Sequence, residues 1–164
     1  INFDYKPILL GGLHKLGNIT APAFNKRKMK NMKNDCELIA RKNKISFKWN
    51  DKFPINSLYL MRGLIVIDLK FKNQYINICF DAYWKNNIDI SAEENMNDIL
   101  DTCKIDKTNF FNLIKEQQIK DKLKNFTDEA FNIDVFGAPT FVVNNKLFWG
   151  HDRLEYALEE YNSK

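Results

Sequence analysis

The stretch FGAPTFVVNNKLFWGHDRLEYALEEY, residues 136–161, constrains the fold more than any other. A proline stands directly ahead of a short β-type run, although proline has no backbone N–H for a ladder and is normally kept out of strand interiors. TFVV and KLFW are joined by Asn144 and Asn145, residues that tolerate the positive φ of a two-residue hairpin turn. Leu154, Ala157, Leu158 and Tyr161 then recur at helical spacing, with Asp152 placed as a cap. The tail therefore predicts a hairpin and a closing helix. An X-Pro bond is held cis for only about 0.5–1 kcal/mol, so Pro139 can make a sharp entry to the first strand. A cis bond there is expected to turn Ala138 outward and offer its N–H and C=O to an extended peptide.

Upstream the periods are different. Residues 3–10, FDYKPILL, alternate and then become apolar, which predicts a strand, and the three glycines of GGLHKLGN predict a break after it. From Lys26 the spacing is helical, with Met29, Met32, Cys36, Ile39 and Ala40 on one face. Leu58 to Leu69 follow Pro54, with Asn56 or Ser57 as the cap. Phe71, Tyr75, Ile78, Cys79 and Ala82 mark a third helix, and Ser91 with Glu94 reads as a capping box for a fourth. Asp106 starts a short helix, and Ile119, Leu123, Phe126 and Ala130 give one more face. The order is strand, helical block, hairpin and helix, with no internal repeat.

The 164 residues suffice for one domain, and 45% hydrophobic with 28% charged residues is the composition of an ordinary globular chain. No apolar run reaches the roughly eighteen residues of a membrane span, and INFDYKPILL lacks the parts of a signal peptide, which predicts a cytoplasmic protein without membrane partners. A net charge of +4, carried mostly by lysine, is too mild for a nucleic-acid binder. Lys26, Arg27, Lys28, Lys30 and Lys33 form a solvated face or an anion-attracting rim. Cys36, Cys79 and Cys103 have no C-x-x-C or zinc pattern and read as buried thiols, and no metal site is expected.

Several motifs occur in one succession: YKPILLGG followed by GN, RK with a methionine four residues on, FPINSL, AYW with DIS beyond it, and FGAPTFVVNNKLFWGHDRLE. Together they resemble the 2-hydroxychromene-2-carboxylate isomerases and the related kappa-class glutathione transferases. That resemblance implies an α/β thioredoxin-like fold, with residues 1–25 and 134–164 forming the thioredoxin-like part and 26–133 an all-helical insertion. It implies glutathione as cofactor, a conjugated, aromatic-derived small molecule as substrate, and a homodimer. The implied reaction is isomerisation by reversible thiol addition, with a glutathione transferase or a DsbA-like thiol-disulfide oxidoreductase as alternatives.

Carried over residue by residue, the resemblance assigns glutathione binding to Asn18, Lys28, Ala138, Pro139, His151, Asp152 and Arg153, and substrate binding to Asn56 and Trp84. Lys26 is the alternative to Lys28, because the spacing from Asn18 is one residue longer than usual. Similar proteins open with a strand and an SPYSY-like segment whose serine faces the sulfur, and nothing here corresponds to it. The expectation is therefore an N-terminally incomplete sequence without first strand, catalytic serine or first helix. Its sheet would carry two apolar edges facing a gap. A glutathione-binding module lacking the serine is the non-enzyme reading.

Overall fold

The computed structural model describes residues 2–163, which form two compact units. Of the described residues, one comprises 2–19 and 124–163 and the other Thr20–Leu123, and the second of the two boundaries falls within a helix. No helix among the described residues is long and apolar enough to cross a membrane.

In the first unit, helix α1 spans Leu10–Leu16 where a glycine break was expected. Each interior glycine costs a helix about 1 kcal/mol, while burying one leucine returns about 1.5–3 kcal/mol. Leu13 is fully buried, and the turn before α1 is held by the Leu9 N–H donating to Thr127 Oγ1 at 2.9 Å. Residues 3–9 do not form the expected strand, since an alternating segment becomes one only through a ladder and theirs has none. Phe3 and Tyr5 remain exposed, with the Phe3 ring 6.1 Å from that of Phe141.

The sheet of the described residues is the hairpin alone, β1 (Thr140–Val143) antiparallel to β2 (Lys146–Trp149). Its register runs from Thr140 opposite Trp149 to Val143 opposite Lys146, leaving Asn144 and Asn145 at the turn with φ of 50° and 61°. The tip is fastened to the last helix, α8 (Leu154–Asn162), by Asn144 Nδ2 donating to the Glu160 carbonyl and by a 2.6 Å ion pair from Lys146 to Glu160.

The second unit is helical. It contains α2 (Lys26–Lys42), α3 (Leu58–Val66), α4 (Leu69–Trp84), α5 (Glu93–Thr102), α6 (Lys107–Leu113) and the start of α7 (Gln117–Asn132). Asn25 caps α2 by accepting from the N–H groups of Arg27 and Lys28, and Asp106 caps α6 through Asn109. The capping box expected at Ser91 and Glu94 is not formed. Asp89 takes the Ser91 hydroxyl at 2.5 Å and its N–H at 3.1 Å, so α5 begins after Ala92 and gains only the acidic first turn of Glu93 and Glu94.

The core of this unit joins Leu60, Leu64, Tyr75, Met96, Leu100, Phe110 and Ile114. It closes on Gly63, where a Cβ would lie 2.5 Å from the Tyr75 hydroxyl and 2.7 Å from Phe110 Cζ. Both neighbours are rings held in the core, so neither can retreat cheaply. Gly63→Ala is expected to cost about 1–3 kcal/mol of unfolding free energy by overpacking. Urea denaturation checks this, and a variant as stable as the parent would show that the core yields there.

Candidate functional site

The candidate site is built where α7 gives way to the hairpin. Asp134 takes a φ of 65°, and the Val135 N–H returns to the Ala130 carbonyl at 2.9 Å, a helix ending of the left-handed type. Val135 is thereby buried and the chain leaves through Gly137, Ala138 and Pro139. Gly137 is required by close approach, because a Cβ there would meet the Trp149 indole nitrogen at 2.5 Å. Trp149 lies against Phe136 with ring centroids 5.0 Å apart, and both rings are partly exposed.

The Ala138–Pro139 peptide bond is cis, and both residues are exposed. No hydrogen bond within the described residues engages the N–H or C=O of Ala138. Its neighbours are fixed instead. Thr140 Oγ1 donates to the Gly137 carbonyl at 2.8 Å, and the Gly150 N–H donates to the Pro139 carbonyl at 2.9 Å.

That second bond brings the turn after β2 beside the proline. Gly150 has a φ of 104°, a backbone conformation that favours glycine, whereas the 2.5 Å approach of a Cβ there to Asp152 Oδ1 meets only the end of an exposed side chain that can swing aside. His151–Arg153 form a short 3-10 turn before α8. The cap expected of Asp152 is not made: its carboxylate binds no N–H at either helix start. It lies inside the short turn, exposed, with Arg153 Nη1 3.2 Å from Oδ2. The Arg153 guanidinium also lies 5.5 Å from the Tyr156 ring. Arg153 thus meets one carboxylate oxygen of Asp152, while Oδ1 has no hydrogen-bond partner among the described residues.

Beside the loop is an open cavity of about 470 Å³, lined by Leu13, Ile19, Phe131 and Phe136 and by the polar Asn132 and Asp134. Asn18 lies between two of its lining residues with a φ of 53°, and its exposed backbone reaches only Lys15, at 3.4 Å. The structure thus gathers Asn18, Ala138, Pro139, His151, Asp152 and Arg153 into one unit. An unused strand-like peptide group, a hollow of mixed apolar and polar lining and an exposed carboxylate suit a short extended peptide bearing an ammonium group.

Lys28, Asn56 and Trp84 belong to the other unit. Lys28 is exposed on the first turn of α2 without an ion pair among the described residues, and Lys26 opens that helix. Asn56 Oδ1 accepts from the Leu58 N–H at 3.1 Å and so starts α3. Trp84 is half-buried in an aromatic knot with Phe47, Trp49, Phe53 and Tyr83, at ring distances of 4.5 to 5.7 Å. Asn50, buried at its edge, donates to the carbonyls of Tyr83 and Ile88. Capping and packing account for both substrate candidates.

The residues that sequence reasoning missed here are Gly137 and Gly150. The tail shows both glycines, but only the fold shows what lies over them. Asn25 could have been read as a cap from its place directly before the basic run.

A family model described as DSBA-like thioredoxin domain matches residues 1–162. The chain is 28% identical over 80 residues to a 2-hydroxychromene-2-carboxylate isomerase of Pseudomonas sp. strain C18, covering 49% of this chain and 38% of that protein. It is 26% identical over 80 residues to the enzyme of the same name from Pseudomonas putida, covering 49% and 39%. The aligned stretch thus spans less than half the length of the curated relatives. A solved structure of a 2-hydroxychromene-2-carboxylate isomerase superposes with a TM-score of 0.84 over 95% of this chain and 77% of that one. At 23% identity that likeness shows the fold, a thioredoxin-like arrangement with much helix and a small sheet.

No thiol of the chain belongs to this site. Burial pushes the Cys79 thiol up to about 12, and burial also raises Cys103. Cys36 is only half-buried, short of the burial expected for it, and is raised by desolvation and by Asp35 and Glu37. All three shifts oppose the thiolate that exchange chemistry needs. With an aromatic disulfide reagent in native buffer, Cys36 alone is expected to react, more slowly than free cysteine, and Cys36→Ser to remove the signal. Prompt reaction of a second thiol would contradict the burial described.

Proposed function

The chain belongs to the DSBA-like thioredoxin domain family, and on that premise we propose that it binds glutathione and is a glutathione-dependent isomerase of the 2-hydroxychromene-2-carboxylate isomerase type. The observation that carries this reading is the hydrogen bond from Gly150 N–H to the Pro139 carbonyl, which sets the free peptide group of Ala138 beside the turn bearing Asp152. The names of the curated relatives support the reaction class.

The residues present fit the tripeptide. Ala138 offers one N–H and one C=O to its cysteinyl backbone, as a strand edge does. Asp152 receives the γ-glutamyl ammonium, with Arg153 holding its second oxygen, and His151 borders the same end. Asn18, in the same unit, is a further candidate for the tripeptide. When bound, glutathione would supply the thiol that adds reversibly to a conjugated, aromatic-derived substrate, making the double bond single so that it turns before elimination. The chain's own part is to hold the tripeptide extended and the thiol end beside Pro139.

Retention on glutathione-agarose tests this. Asp152→Ala is expected to elute with about tenfold less competing glutathione, the loss of one charge-assisted bond of about 1.5 kcal/mol. Because Asp152 is exposed and caps nothing, its melting temperature should not move. Equal retention of variant and parent would remove Asp152 from the site.

A further inference from the structure

A second cavity, of about 200 Å³, lies within the Thr20–Leu123 unit, where two corners between helices meet. One corner leads from α3 to α4 through Ile67 and Asp68, the other from α5 to α6 through Lys104, Ile105 and Asp106. The second corner is a left-handed helix ending: Lys104 has a φ of 56°, and the Ile105 N–H returns to the Leu100 carbonyl at 2.9 Å. Ile105 thereby joins Phe71 and the buried Phe110 in an apolar floor. The rim is charged, with Asp68, Lys104 and Asp106 all exposed and Asn109 beside them.

The fold makes little use of these charges. Asp68 stands at the start of α4 but accepts no N–H there. Asp106 gives one oxygen to the Asn109 N–H at 2.8 Å, and its other oxygen has no partner among the described residues. No ion pair among the described residues joins Lys104 to either carboxylate, although all three line one cavity.

We propose that this cavity binds an α-amino acid with an apolar side chain, its ammonium at Asp68 and Asp106, its carboxylate at Lys104 and its side chain against Phe71 and Phe110. The signs at the rim select the class. A plain carboxylic acid would bring its anion to two carboxylates, a plain amine would leave Lys104 unanswered, and an inorganic ion would leave the floor bare. The volume is below the roughly 300–1,000 Å³ of drug-sized sites, which suits a single small metabolite. All the residues belong to the helical unit, so the site does not depend on the isomerase proposal.

Calorimetric titration of the full chain with L-phenylalanine, hydrocinnamate and phenethylamine tests this, since hydrocinnamate lacks only the ammonium group and phenethylamine only the carboxylate. L-Phenylalanine is expected to bind saturably, and the other two about fivefold more weakly or less. Asp68→Asn should weaken phenylalanine about fivefold without moving the melting temperature, because Asp68 is exposed and caps nothing. Asp106→Asn should do the same with the start of α6 preserved, since asparagine caps as well as aspartate. Lys104→Gln should weaken phenylalanine and leave phenethylamine unchanged. Absence of saturable phenylalanine binding, equal affinity for hydrocinnamate, or undiminished binding by the variant carrying both Asp68→Asn and Asp106→Asn overturns the proposal. Failure of the chain to bind glutathione would leave these results untouched.

Discussion

The site depends on one backbone hydrogen bond, from the N–H of Gly150 to the carbonyl of Pro139. It closes the open end of the hairpin just beyond the last cross-strand pair, Thr140 with Trp149. A two-stranded hairpin is marginal by itself, so the elements around it must share in holding it. The other end is fastened by Asn144 and Lys146 to Glu160 of α8. Between these two fastenings the proline loop and the 3-10 turn cannot drift apart, and the exposed peptide group of Ala138 and the carboxylate of Asp152 stay on neighbouring segments.

Close approaches at glycine do comparable work in both units. At Gly137 the indole of Trp149 lies over the backbone, and at Gly63 two rings of the helical core do the same. In each case a methyl group would occupy space already filled, so what looks like a flexible residue is a packing requirement. The helical unit then spends its polar side chains on backbone ends. Asn25, Asn56 and Asp106 start helices, and Asn50 ties the loop after α2 to the end of α4. Arg62 is the exception, its buried Nε without a hydrogen-bond partner among the described residues.

Helix positions were legible because apolar spacing of three and four residues persists over many turns from Lys26 to Ala130. The hairpin was legible because Asn144 and Asn145 are suited to positive φ. Two local signals misled. Ser91 and Glu94 have the spacing of a capping box, but Asp89, two residues earlier, offers the serine a shorter hydrogen bond. Gly11 and Gly12 suggest a break, yet Leu13 finds a fully buried place and Thr127, 118 residues from Leu9, holds the turn before it.

The sequence by itself determined the period of each helix, the turn of the hairpin and the presence of a proline that can begin a strand, since these follow from local sterics and hydrogen bonding. It also carried the succession of motifs by which the family is legible. Whether residues 3–9 become a strand, whether Asp152 caps a helix or pairs with Arg153, and whether the Nε of Arg62 finds a hydrogen bond were decided only in three dimensions. Each depends on a group distant in the chain or on competition between neighbours for one donor. Local pattern fixes what a residue is able to do, and tertiary structure fixes which of its partners is within reach.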